Sequence, residues 1–282
     1  HRASINMHTL QFGLNALEKL NNAFEKVYFI TGNHDLYYRD KRDIHSVEWA
    51  KHLTNVVIVD EFLEEGNCVI APWLCGDDYK LLRKKKGKYL FAHLELPYFY
   101  MNAMIEMPDH GETNADHLGH FDKVFSGHFH KRQAKKNVWY MGNAFPHNYA
   151  DAGDDARGMM VLEWDKEPEF HSWPNQPVYR VYKLSEVLEN PEGLLIKNAH
   201  VRVHLDIDIS YEESNYIREQ LIPQHELREM SLIPIKNDEH SLDLAPGEIS
   251  FESVDSIIIE QIKNIESDFY DKGVLLEIYQ SL

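Results

Sequence analysis

The chain has 282 residues, 43% of them apolar, enough to bury one full core and a smaller second one. No stretch approaches the roughly 20 apolar residues of a membrane span, and the opening HRASINMHTL lacks the basic and apolar regions of a signal peptide, so a soluble cytoplasmic protein is expected. The net charge of −17 is unevenly spread: residues 1–150 carry 18 basic and 18 acidic side chains (net 0), and residues 151–282 carry 11 and 28 (net −17).

Any site for a polyanion therefore belongs to the first half, which holds two basic clusters, KLLRKKKGK from Lys80 to Lys88 and KRQAKK from Lys131 to Lys136. The bland alternative for each cluster is a solvated loop or strand end. Cys68 and Cys75 form no metal-binding pattern and read as reduced thiols.

In chain order, residues 7–24 repeat leucine at positions 10, 14, 17 and 20, the spacing of a helix with one apolar face. Its leucines serve either the core or a homodimer. A strand, KVYFI, follows, then the loop TGNHD, a predicted helix around HSVEWAKHL, and strand-length apolar pieces in VVIVD, NCVIAPWL, KYLFAHL, FDKVFSGHFH, NVWYMGNAF and RGMMVLEW. This order predicts an α/β layered fold with its chemistry at strand ends. Pro174 and Pro177 mark a domain edge, after which VRVHLDIDI reads as a strand and ESNYIREQLI as a helix. Residues 236–250 read as a linker. Val254, Ile258, Ile262 and Ile265 recur at helical spacing, followed by a break near Gly273 and a second short helix, both candidates for docking on a partner.

Three apolar runs stop at histidine: VYFI runs into Asn33, His34 and Asp35, YLFA ends at His93, and KVFS runs into His128 and His130. Each alone reads as a turn or a core histidine; together, in order, they read as the loops of a metal site. In HxH on an extended segment both rings point the same way. Nitrogen and oxygen donors without thiolate suit manganese, iron or zinc. Asp35 is expected to orient the His34 ring.

At these residues, and in GNHDLYY, APWLC, SGHFH, YMGNAF and ARGMMVLE, the chain resembles the calcineurin-like metallophosphoesterases. Within them it is most similar to SbcD-type nuclease subunits, such as the recombination endonuclease subunits of T-even-like phages. The resemblance covers about residues 1–175 and implies a β-sandwich flanked by helices, lacking its N-terminal part, with a small α+β cap at 176–235, a linker at 236–250 and a helical docking segment at 251–282. It implies two divalent ions, manganese foremost with magnesium as the alternative. Asn33, His93 and His128 would bind one, and His130 would help bind the other. His34 would act on the leaving group or the charge at phosphorus, with Asp35 beside it.

DNA ends or single strands would meet Tyr37, Arg39, Lys84, Lys85, Lys86, Lys131 and Arg132, and a coiled-coil ABC ATPase of the SbcC type would dock on the C-terminal helices. The family's Asp-x-His and GDxxD motifs do not occur in these 282 residues, and HRASI is similar to the segment that follows GDxxD. A chain without both motifs is expected to hold metals poorly and to be inactive. Two other readings stay open: a phosphoesterase for nucleotides or phosphoproteins, and an inactive interaction subunit of an ATPase.

Overall fold

The computed structural model describes residues 5–101, 105–109, 111, 113–234, 262 and 272–280. The chain divides into two compact units, residues 1–234 and 235–282. The α/β class expected from the sequence is what the first unit shows. Among the described residues, no helix is long and apolar enough to cross a membrane.

Helix α1, Met7–Ala23, starts where the Asn6 side chain accepts from the Thr9 N–H at 2.9 Å and ends at extended Phe24. Of its leucine stripe only Leu17 is buried, while Leu20 is exposed. Strand β1, Val27–Ile30, pairs in parallel with β2, Val56–Val59. The helix expected around residue 45 is reduced to a 3-10 turn, Glu48–His52. His45 is instead drawn into a bridge with Leu36 and a contact with Asp60, which leaves too few residues for an α-helix.

The main sheet has six strands: β3 Leu63–Glu65, β4 Cys68–Ala71, β5 Tyr89–His93, β6 Lys123–Gly127, β7 Gln133–Lys135 and β8 Val138–Tyr140. Their order is β3-β4-β5-β6-β8-β7, with β4, β5, β6 and β8 parallel. A short helix α2, Asp78–Leu82, crosses between β4 and β5. Val69, Leu90, Ala92, Val124 and Val138 make the strand layer of its core, with Leu82, Leu118 and Phe121 packed over it. The Tyr140 hydroxyl, fully buried, donates to the Leu94 carbonyl at 3.0 Å and accepts from the Leu96 N–H at 3.2 Å, fixing the chain as it leaves β5.

A hairpin of β9, Gly158–Val161, and β10, Glu169–Ser172, precedes a second, all-parallel sheet. That sheet comprises β11 Val178–Lys183, β12 Ala199–Leu205 and β13 Glu229–Pro234, with α3 Leu184–Glu189, α4 Pro191–Leu194 and α5 Tyr211–Gln224. The second sheet has its own core of Leu184, Val187, Ala199, Val201, Val203 and Met230. It meets residues 149–155, where Arg180 pairs with Asp155 and Arg202 lies 4.0 Å over the Tyr149 ring. In the second unit the described helix is α6, Lys272–Gln280, which runs through Gly273. Val254, Ile258 and Ile265 lie outside the described residues, and Ile262 is described as helical and half-buried.

Candidate metal centre

The carboxyl ends of β1, β4, β5 and β6 lead into the segments that carry the sequence-predicted ligands, the position where open α/β sheets place their sites. The ends of the two sheets are tied there: the Trp73 N–H, just past β4, donates to the Thr31 carbonyl, just past β1, at 2.8 Å.

His93 is the centre of the cluster. Its Nε2 lies 3.1 Å from Asn33 Oδ1 and its ring 5.2 Å from that of His128. Two atoms each about 2.1 Å from one cation and at right angles to one another lie ~3 Å apart, so the Asn33–His93 spacing suits two donors of one ion. Glycines make room for the ring. A Cβ on Gly32 would fall 2.7 Å from His93 Cε1, and one on Gly127 would fall 3.0 Å from His93 Nδ1. Burial, with His128 and His34 nearby, pushes the His93 imidazole down to about 3. The ring is therefore neutral at physiological pH, the protonation state a metal ligand needs.

The unfolded chain holds a proton on His93 below pH ~6.5 and the folded chain only near pH 3, so stability is complete above about 6.5 and falls as the pH drops from there towards 3. Urea midpoints measured across that range should decline less steeply for His93→Gln.

His128 and His130 depart from expectation. Strand β6 ends at Gly127 and His128 takes φ of 89°, so HxH is not an extended segment. His128 turns to Trp73, at 5.1 Å between rings, and its Nε2 lies 3.0 Å from Glu95 Oε2. His130 faces His147 at 5.8 Å. Burial depresses the His130 imidazole; Asp151 opposes this, while His147, Arg157 and His128 add to it. Phe129, buried between the two histidines in the chain, packs on Tyr140 at 4.7 Å and anchors the turn.

The role expected for Asp35 also needs correction. Its carboxylate accepts from the Gly32 N–H at 2.8 Å and the Ser46 hydroxyl at 3.3 Å, closing the loop rather than orienting the His34 ring. His34 itself is exposed on that loop. Tyr37, Tyr38 and Arg39 are exposed beyond it, with the two tyrosines edge to face at 4.8 Å. Arg42 closes the excursion, donating to the Asp60 and Trp73 carbonyls at 2.7 and 2.9 Å.

The basic residues separate into two groups. Lys131 and Arg132 directly follow His130; Lys131 lies 4.8 Å over Tyr100 and Arg132 3.5 Å over Phe170. Lys84, Lys85 and Lys86 precede β5 and so sit at the opposite end of that five-residue strand from His93, about 16 Å away at ~3.3 Å per residue. There they line a cleft with His120, and Lys85 pairs with Glu64 at 2.6 Å.

Sequence reasoning missed Trp73, Glu95 and the buried support of the loop after β8. Asp151 and Arg157 are both fully buried and pair at 3.1 Å. The other Asp151 oxygen accepts from the Asn143 side chain at 3.2 Å and the His147 N–H at 3.0 Å. This ion pair holds His147 against His130.

A second cluster, His45, Glu48 and Asp60, has ligand atoms within 4.8 Å of one another. The Lys51 ammonium already sits 3.0 Å from Glu48 and 2.9 Å from Asp60, so the positive charge this cluster calls for is supplied by the chain.

No family model matches the chain. Among curated proteins it is similar to exonuclease subunit 1 of enterobacteria phage T4, with 28% identity over 175 residues. The match takes in 59% of this chain and 50% of that protein, so the chain spans about half the length of the relative.

Proposed function

We propose that the protein is a metal-dependent DNA nuclease subunit that hydrolyses phosphodiesters at the strand ends where Asn33, His93 and His128 meet. The observation that carries the reading is the 3.1 Å approach of Asn33 Oδ1 to a half-buried, neutral His93, cradled by two glycines that leave room for no side chain. The similarity to a phage exonuclease subunit supports DNA as the substrate.

In this reading Asn33, His93 and His128 hold one divalent ion, with manganese the best match to the donors, and His130 contributes to a second. Bound ions supply an acidified water and a clamp on the phosphate oxygens. The chain's own residues do the rest. Trp73, packed on both His93 and His128, covers one side of the site against solvent. His34, exposed on the adjoining loop, delivers a proton to the departing oxygen or stabilises charge at phosphorus. Lys131 and Arg132, beside His130, meet the DNA backbone; Lys84 to Lys86 form a separate contact at the far end of the sheet. The residues around Val254 to Ile265 serve as the docking segment for a coiled-coil ATPase partner.

The test is release of nucleotides from linear double-stranded DNA by the full-length protein, with any residues that precede His1 included. Release with manganese and none with chelator is expected. Hydrolysis of a small phosphodiester such as bis-p-nitrophenyl phosphate, with DNA untouched even when an ATPase partner is added, would sink the nuclease reading.

A further inference from the structure

Between the loop after β8 and the proline-rich crossing into the second sheet lies a cleft of about 490 Å³, lined by Phe145, Trp173, Pro174, Gln176 and Pro177 among others. Both aromatic rings stand open to solvent, Phe145 at 44% and Trp173 at 40% exposure, beside Pro174 and Pro177. We infer that this cleft is a stacking slot for an unpaired nucleobase of the DNA strand whose phosphate lies at the candidate metal centre, an inference that rests on the nuclease reading above.

Four observations converge on that occupant. The cleft adjoins His147 and, through it, His130: the Phe145 ring lies 5.2 Å from that of His147, and His147 lies 5.8 Å from His130. A base in the slot would therefore belong to a nucleotide close to the one being cut. The loop presenting Phe145 is held in place, because Asp151 grips it at Asn143 and His147 and is itself locked by Arg157. A rigid aromatic wall loses little conformational freedom on binding. A cation lies close by in the fold, since the Arg132 guanidinium sits 3.5 Å over the ring of Phe170 in β10, the strand that leads directly into Trp173. Exposed aromatic faces beside a basic track are the combination that binds single-stranded nucleic acid with little regard to sequence.

The volume also suits one small planar group better than a protein segment, which needs a longer groove or face.

The experiment measures binding of the full-length protein, with manganese present, to phosphorothioate duplexes carrying a three-nucleotide overhang whose positions hold either bases or abasic sugars. The wild-type protein is expected to bind the base-bearing overhang about tenfold or more tightly, equivalent to about 1.4 kcal/mol. Phe145→Ala and Trp173→Ala should abolish that ratio, and Trp173→Phe, which keeps a ring, should retain it. Equal affinity of the wild-type protein for both duplexes overturns the slot and leaves the nuclease reading standing. Absence of DNA binding overturns both. Variants that change oligomeric state while the ratio persists would assign the cleft to a protein partner and also overturn the proposal.

Discussion

Asp151→Ala is expected to destabilise the protein by ~3–5 kcal/mol, because it strands the fully buried Arg157 guanidinium without its carboxylate. Among the described residues, two of the three guanidinium nitrogens, Nε and Nη1, have no hydrogen-bond partner, and loss of Asp151 leaves Arg157 with Asp154, at 3.2 Å. The damage extends beyond the pair. Asp151 also holds Asn143 and His147, and the adjoining residues Tyr149 and Asp155 carry the contacts to the second sheet. Urea denaturation should show the loss directly. A double replacement, Asp151→Leu with Arg157→Met, should recover most of it, because exchanging both charges for apolar groups avoids the uncompensated ion. A loss below about 1 kcal/mol in Asp151→Ala would mean that water reaches the guanidinium and that the loop is held by other means.

The second large effect concerns His34. Removing its ring should lower kcat for DNA hydrolysis by about 10²–10⁴-fold, the range for a positioned proton donor. Manganese affinity and the melting temperature should stay as in the wild type. The reason is placement: His34 is exposed and lies on the loop that Asp35 closes through Gly32 and Ser46, so the fold does not depend on its ring. His34→Ala is thus the counterpart of a ligand variant, which should lose metal and activity together. A variant that loses metal affinity along with rate would place His34 among the ligands.

Much of this centre was legible in the sequence because it sits where apolar runs end abruptly. Strands that stop at Ile30, His93 and Gly127 deliver their last or following residues to one edge of a parallel sheet, and Asn33, His93 and His128 converge for that reason. The direction of the HxH rings was not legible. It depends on a positive φ at His128, which the apolar run before it does not announce. The support of the site was invisible for a different reason: Trp73, Glu95 and the Asp151–Arg157 pair act through contacts between segments far apart in the chain or through burial that no local pattern records.

Two placements had usable signals. Lys84 to Lys86 precede a strand that ends at the site, and in a parallel sheet what precedes a strand lies at its far end. Asp35 follows Gly32 by three residues, the spacing of a side chain that caps its own turn, and this competes with any role towards His34.

Titration of manganese into the full-length protein, followed by calorimetry, separates the two clusters most directly. The expected result is saturable binding that is at least tenfold weaker in His93→Ala and in Asn33→Ala and unchanged in Glu48→Gln, whose cluster is already neutralised by Lys51. Binding indifferent to His93→Ala, or lost in Glu48→Gln, would contradict it and move the centre to the other cluster.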